Sequence, residues 1–353
     1  MNPKPMKALL PLSWLYGAGV SIHRRARMAG APGAAHPRII SIGNLEAGGN
    51  GKTPLAMWLL SRAAGQGTAC AYVSRGYGGD AVAHHTVTCV LAADAAPASL
   101  AGLRVMTRPH PALARAVGDE GALVCERVPT ASAFFCSSKA RAVEAAAGLG
   151  VDLIVLDDAF QSWGVARHAN IVLLDADSPL DGGCLLPAGR LRERSDALLR
   201  ADAVVFNGAA TSGAIEAARG QVARWIRPGV PVAGMARHIQ LEAAAGGGPS
   251  RPGACIAVSG IARPDAFEAS LREAGVRIAG HEVFPDHHSY RGRDIERVAA
   301  RMHREGVSAL VTTEKDWVKL RGFALPGEAW IARLEVSLSG DELPLVETKT
   351  PRT

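Results

Sequence analysis

Arg38-Ile-Ile-Ser-Ile-Gly-Asn-Leu-Glu-Ala-Gly-Gly-Asn-Gly-Lys-Thr-Pro54 reads as a strand, a glycine loop and a helix start in immediate succession. Ile39 to Ile42 is a short isoleucine-rich run of the kind that buries as a strand. Gly48, Gly49 and Gly51 then strip side-chain bulk from the loop that ends in Gly51-Lys52-Thr53. Pro54-Leu-Ala-Met-Trp-Leu-Leu-Ser-Arg62 follows with helical spacing, and Pro54 lacks only an N–H that a first helical turn leaves unbonded anyway. This order makes a phosphate cradle from Glu46, Ala47, Gly48, Gly49, Asn50, Gly51, Lys52 and Thr53. Backbone N–H groups and the positive helix end surround the anion, Lys52 reaches the β/γ-phosphates, and Thr53 is placed to ligate Mg²⁺. The usual pattern is G-x-x-x-x-G-K-[ST]; here Glu46 stands in the first glycine slot. The remaining glycines still admit a phosphate.

The composition around this stretch is that of a globular chain. Its 353 residues suffice for two domains or one large α/β domain, and 48% are apolar against 20% charged. The formal net charge of +6 suits an anionic partner, whether nucleotide, nucleic acid or acidic lipid surface, without choosing between them. Six cysteines lie scattered with no C-x-x-C pair, which reads as reduced thiols in a cytosolic compartment and not as a disulfide frame or zinc site.

Upstream, Ala8 to Ile22 is apolar and flanked by Lys4 and Lys7 on one side and Arg24, Arg25 and Arg27 on the other. It is too short to span a bilayer comfortably, and Pro11 is expected to interrupt it. A signal peptide, a plain core helix and an interfacial helix with Trp14 and Tyr16 at headgroup level all fit, and only the last also explains the basic flank. Ala29 to His36 reads as a linker.

Downstream, strand and helix patterns alternate. Ala69 to Gly79 is a strand and loop, and Asp80 to Pro109 is less regular, an insertion with its own hairpin. Ala112 to Glu120 ends in Gly118-Asp119-Glu120, two carboxylates leaving a turn. Ser138 to Leu149 is an alanine-rich helix. Val151-Asp-Leu-Ile-Val-Leu-Asp-Asp-Ala-Phe-Gln161 is a buried strand delivering Asp157 and Asp158 to a metal at its C-terminal end. Leu185 to Arg194 is a turn carrying Arg190, Arg192 and Arg194, either forks for phosphate oxygens or a solvated basic loop. Ala243 to Gly253 is the clearest linker, and beyond it Cys255 to Gly260, Pro264 to Ala274, Val276 to Phe284, Arg293 to Gly306 and Ala309 to Thr313 alternate again. The alternation predicts a doubly wound α/β architecture in two lobes.

Phosphoryl transfer needs charge neutralisation on the γ-phosphate, an aligned nucleophile and an acceptor for its proton. Lys52, Thr53 and one or both of Asp157 and Asp158 supply the first. Asp119 and a histidine of Phe284-Pro-Asp-His-His-Ser-Tyr290 are candidates for the last, since a carboxylate beside an imidazole orients the base. Asp286-His287-His288 is alternatively a metal site or only a turn.

Taken together, these landmarks resemble the tetraacyldisaccharide 4'-kinase family of Gram-negative bacteria. The resemblance rests on Ser13-Trp-Leu-Tyr16, Ser41-Ile-Gly-Asn-Leu45, Gly48 to Pro54, Ser74-Arg-Gly-Tyr-Gly78, Gly118-Asp-Glu120 and Asp157-Asp158 with Phe160-Gln161. It continues through Leu186-Pro-Ala-Gly189, Leu191-Arg-Glu193, Gly260-Ile-Ala-Arg-Pro264, Phe284-Pro-Asp-His287, Thr313-Glu-Lys-Asp316 and Val318-Lys-Leu320. Any one of these is weak; their joint order is specific. The resemblance implies a P-loop NTPase-like, doubly wound, mostly parallel sheet as a kinase core over 37–242, a linker at 243–254 and a smaller C-terminal α/β lobe over 255–353. Residues 1–36 would be an interfacial helix and linker on the cytoplasmic face of the inner membrane.

The same resemblance implies transfer of the γ-phosphate of ATP, with Mg²⁺, to the 4'-hydroxyl of the lipid A disaccharide precursor. Asp119 and His287 would act together on that hydroxyl, Arg192 would face the phosphate, and Thr53, Asp157 and Asp158 would serve the metal. No nucleic acid and no obligate protein partner is inferred. The chain departs from the family pattern at Ala159 and Ser162, where Gly and His are common, and at His168, where an acidic residue is usual. A switch or chaperone acting on a partner protein is the competing reading, but it needs neither the Asp119/His287 pair nor an amphipathic entry helix.

Overall fold

The computed structural model describes residues 6–27, 37–48, 51–80, 86–92, 95, 100–108, 112–246 and 251–343. A short 3-10 turn, Lys7–Leu9, leads into α1 (Leu10–Arg27). Pro11 therefore does not interrupt this segment. It lies in the first turn of α1, where a missing N–H costs no helical hydrogen bond. The stretch read as a linker, 29–36, lies outside the described residues.

The core half then alternates. β1 (Arg38–Asn44), α2 (Lys52–Gly65) and β2 (Cys70–Ser74) are followed by β3 (Val87–Val90), β4 (Leu103–Met106) and α3 (Leu113–Arg127). β5 (Ala131–Phe135), α4 (Lys139–Ala147), β6 (Leu153–Leu156), β7 (Ala169–Asp175), β8 (Ala203–Asn207) and α5 (Ser212–Val222) complete it. Next come β9 (Val232–Ala243), β10 (Cys255–Ser259), α6 (Pro264–Glu273) and β11 (Ile278–Val283). The chain closes with α7 (Gly292–Glu305), β12 (Ala309–Thr313), α8 (Glu314–Leu320) and β13 (Glu328–Gly340).

All the strands join one sheet in the order β11-β10-β12-β13-β9-β8-β7-β1-β6-β2-β5-β3-β4. Its described pairings are parallel except β3 with β5 and β9 with β13. The apolar runs are continuous because both faces are covered. Ile40, Ile42, Val155 and Ile171 bury with α2 and α3 on one side, and Ile39, Ile154 and Leu156 with Ala142 and Ala146 of α4 on the other. β1 lies between β6 and β7, and the chain leaves it through α2 to reach β2 on the far side of β6. That divergence opens a crevice at the carboxyl ends of β1, β6 and β7, where an open α/β sheet takes its ligand.

The region 80–109 is not a hairpin. Its described strands β3 and β4 pair parallel, which a two-strand turn cannot produce and the crossover between Val90 and Leu103 allows. Residues 81–85, 93–94, 96–99 and 109 of that region lie outside the described residues. Farther on, β9 and β13 form a long antiparallel ribbon between the two halves. Of β9, only Val232–Met235 pairs with β8, and of β13, only Glu328–Ala332 pairs with β12, so the ribbon is two-stranded in its middle among the described residues. Cys70, Cys89, Cys125, Cys136 and Cys255 are buried reduced thiols, and Cys184 is half-buried. Burial pushes the Cys70 and Cys125 thiols up to about 12.

Candidate active site

The phosphate cradle begins where β1 ends. Gly51 is in the left-handed region at φ 87°, a backbone conformation that favours glycine. α2 starts at the next residue, directing its unbonded N-terminal amides into the crevice. Lys52 folds back over the loop, donating to Asn44 Oδ1 at 3.1 Å and Gly48 O at 3.0 Å, with Asp158 Oδ1 at 3.3 Å. Gly49 and Asn50 lie outside the described residues.

The arginine turn is laid against this loop. Ala47 N donates to Arg190 O at 2.8 Å, Arg190 Nη2 returns a bond to Ala47 O at 2.9 Å, and Arg192 N donates to Leu45 O at 2.6 Å. Glu46 forms an antiparallel bridge with Leu191 and is buried. It is not among the described residues of positive φ, so its slot demands no glycine, which accounts for the departure from the usual pattern. The three arginines divide their work: Arg190 holds the loop, Arg192 Nη1 lies 3.0 and 3.2 Å from the two Asp158 oxygens, and Arg194 is exposed beside Asp196.

The paired aspartates at the end of β6 face different ways. Asp157 is buried; its Oδ2 lies 2.9 Å from the Thr53 hydroxyl and accepts from Tyr72 OH at 2.7 Å. Burial, with the nearby Glu120 carboxylate, raises its pKa. Asp158, at φ 46°, turns outward to Lys52 and Arg192. Burial alone would raise its pKa, but Lys52, Arg192 and Lys139 overrule it and hold the carboxyl at about 2. Lys139 Nζ clamps the turn from behind by donating to the carbonyls of both Asp157 and Asp158, and its own burial lowers it to about 8. His168, placed where an acidic residue is usual, accepts from Ile39 N through Nδ1 at 3.0 Å and so secures the start of β1.

A second cluster is built by a break in α3. Gly118 sits at φ 79° and ψ 163°, splitting the helix, and a Cβ on it would lie 2.1 Å from Tyr77 O. Asp119 and Glu120 therefore open a fresh helical turn just past the close approach of the 76–79 loop, where the sequence suggested only the end of a segment. Glu120 Oε2 lies 3.2 Å from the Thr53 hydroxyl, whose single proton serves either Glu120 or Asp157. Burial would raise the Glu120 pKa, but Lys315 and the Thr53 hydroxyl bring it down. Asp119 Oδ2 lies 3.2 Å from His287 Nδ1 and accepts from Lys319 Nζ at 3.0 Å.

Of the two adjacent histidines, His287 is the one turned to Asp119. It sits at φ 58°, half-exposed. His288 instead stacks on Phe284 at 4.9 Å and bonds Asp294 at 3.0 Å at the start of α7. Consecutive residues thus face different partners: Asp119 meets the His287 imidazole and Glu120 the Thr53 hydroxyl.

Residues 6–348 match the profile of tetraacyldisaccharide-1-P 4'-kinase. The chain belongs to this kinase family. It is 35% identical to the tetraacyldisaccharide 4'-kinase of Halorhodospira halophila, covering 94% of this chain and 89% of that one. Identity to the same-named protein of Parvibaculum lavamentivorans is 33%, over 93% of this chain and 85% of the relative. In three dimensions it resembles the LpxK of Aquifex aeolicus solved in complex with ATP, with TM-score 0.67, 25% identity and 94% of each chain covered. The fold expected from the sequence, a mostly parallel P-loop kinase sheet with an N-terminal helix, is the fold this kinase has.

Sequence patterns gave no sign of Tyr72 or Lys139, which no motif marks. Lys315 and Lys319 lie in two of the landmark stretches, and their spacing of four on α8 puts them on one helical face, but the sequence did not show that they face Glu120 and Asp119.

α1 docks on the arginine turn. Ser13, 2% exposed, donates to Leu185 O at 3.0 Å and accepts from Ala188 N at 3.1 Å. Its opposite face leaves Leu12, Trp14, Leu15 and Ile22 exposed, at 52, 75, 71 and 68%. No helix among the described residues is long and apolar enough to cross a membrane.

Proposed function

We propose that this kinase transfers the γ-phosphate of ATP to the 4'-hydroxyl of a tetraacylated glucosamine disaccharide 1-phosphate, a lipid A precursor, on the cytoplasmic face of the bacterial inner membrane. The observation that carries the mechanism is the contact of Asp119 with His287 at 3.2 Å beside that of Glu120 with Thr53, also at 3.2 Å. Two neighbours in the chain join a base to a phosphate cradle.

Asp119 accepts the Nδ1–H of His287, which leaves Nε2 to take the proton of the attacking hydroxyl. Lys52 follows the charge on the transferring phosphoryl group, and Arg192, reached through Asp158, stands ready as a second cation. Thr53, Asp157 and Glu120 form a hard-oxygen donor set that fits Mg²⁺, an ion held by one or two carboxylates with the rest of its shell from phosphate and water. The metal would neutralise β/γ-phosphate charge. In this reading Asp158 does not ligate it but orders the cations. The smaller lobe, beginning at residue 255, brings His287 to the core.

The exposed apolar face of α1 supports seating on the membrane, with Arg24 and Arg25 near anionic lipid. The test is transfer of labelled γ-phosphate to disaccharide lipid in mixed micelles, wild type beside Lys52→Ala. Labelled lipid that disappears in the variant is expected. ATP hydrolysis with no labelled lipid would overturn the reading.

A further inference from the structure

A closed circuit of polar contacts runs behind the base. Asp316 Oδ2 accepts from Gly260 N at 3.0 Å, and Gly260 O accepts from His287 N at 3.1 Å. His287 Nδ1 meets Asp119 Oδ2 at 3.2 Å, and Lys319 Nζ donates to that same oxygen at 3.0 Å. Lys319 Nζ then returns to Asp316 Oδ1 at 3.5 Å. Three of the five links join C-terminal residues to one another, and the two made by Asp119 reach across to α3.

The circuit is built, and it is not a surface coincidence. Asp316 is fully buried, and the side chains of Lys319 and Asp119 are 13 and 14% exposed. Asp316 is itself fixed as the third residue of α8, accepting from Thr313 Oγ1 at 2.7 Å while Thr313 caps the helix. The Lys319 ammonium also lies 5.8 Å from the Tyr290 ring centroid, within cation–π range. A lysine held this way loses most of its rotamer freedom, which an exposed ion pair does not achieve.

We propose that Lys319 is the positioning residue of the phosphoryl-transfer base: it pins the Asp119 carboxylate so that Oδ2 faces His287 Nδ1. With the ammonium in place the carboxylate has one orientation that satisfies both partners. Without it, Asp119 is free to rotate away, and the imidazole loses its orienting acceptor. Lys319 touches neither hydroxyl nor phosphate and acts only through Asp119.

The inference rests on the Asp119–His287 reading above, so Asp119→Ala, Lys319→Met, Lys319→Arg and the double variant Asp119→Ala/Lys319→Met are compared in the labelled-lipid assay, with folding checked by thermal melts. Lys319→Met is expected to lower kcat about 100-fold while the KM for ATP moves less than about threefold. Lys319→Arg should recover to within about tenfold of wild type, and the double variant should be no slower than Asp119→Ala alone, because the pair acts as a unit. If Lys319→Met melts too low to assay, Lys319→Gln takes its place in the same cycle. Unchanged kcat in Lys319→Met beside an inactive Asp119→Ala sinks the inference and spares the base. Losses that multiply in the double variant, or a rise confined to the KM for ATP, also sink it. Full activity in Asp119→Ala removes the underlying reading instead.

Discussion

The cradle and the base are assembled in opposite ways. The cradle comes from sixteen or so consecutive residues around β1 and α2, and its partners Tyr72, Asp157 and Arg190 all sit in the same half of the sheet. The base joins Asp119 to His287 across 168 residues and two lobes. Besides the continuous sheet, a row of ion pairs joins α3 to the α8 region: Asp119 with Lys319, Glu120 with Lys315, Glu126 with Arg321 and Arg127 with Glu314. On the proposed reading, phosphate binding would rest on local chain geometry and the chemistry on contacts between distant segments. The two should therefore fail separately.

The largest effect should come from cutting each region at its centre. Asp119→Ala is expected to lower kcat by about 10²- to 10⁴-fold with ATP affinity little changed, while Lys52→Ala loses both. Steady-state kinetics beside ATP titration would show this, and equal loss in Asp119→Ala would place that carboxylate in the nucleotide site. Next, Arg127→Ala removes a cation shared by Glu314 and Glu335, each at 2.6 Å, and leaves a buried carboxylate unpaired. Stability should drop by up to about 3 kcal/mol, with kcat falling more than ATP affinity. Retained kcat would mean that the register does not depend on this pair.

A subtler contrast lies inside the cradle. The folded state raises the Asp157 pKa, so its charge costs stability near neutral pH, and Asp157→Asn should melt higher while losing activity. Asp158 is depressed from 3.8 to about 2, so its contribution is present above roughly pH 4 and is lost as pH falls toward 2. Asp158→Asn should melt lower than wild type at pH 7, and the gap should close in acid; parallel melting curves at pH 7 and pH 3 would contradict it. The smallest effect concerns neither region: Leu15→Glu should cut partition onto anionic vesicles by about tenfold and leave ATP binding in solution untouched. Unchanged sedimentation with vesicles would remove α1 from the membrane.

This division also explains what could be read from the sequence. A cradle made of consecutive residues announces itself through Gly48, Gly51, Lys52 and Thr53, and the alternating apolar runs announce the doubly wound sheet. The Asp119–His287 pairing came from the family resemblance and not from spacing, because nothing local links residues so far apart. The parallel pairing of β3 with β4 was misread as a hairpin because short apolar runs carry no information about direction. Glu120 on Thr53 was hidden by the break at Gly118: a residue that ends one helical segment in the sequence begins another in space. Lys139 left no pattern at all, since a lone lysine at the start of an alanine-rich helix reads as solvated until its carbonyl partners are known.

The seat of α1 sets a height. Ser13 rests on the carbonyl of Leu185, and a few residues along the same turn Arg190 and Arg192 bond the backbone of the cradle. A helix is about 10–12 Å across with its side chains. On a bilayer touched by Trp14 and Leu15, that helix and the turn beneath it would separate the cradle from the lipid headgroups. On that reading a tetraacylated substrate would keep its chains among its neighbours and raise only a sugar ring to be phosphorylated, with the enzyme coming down to its acceptor.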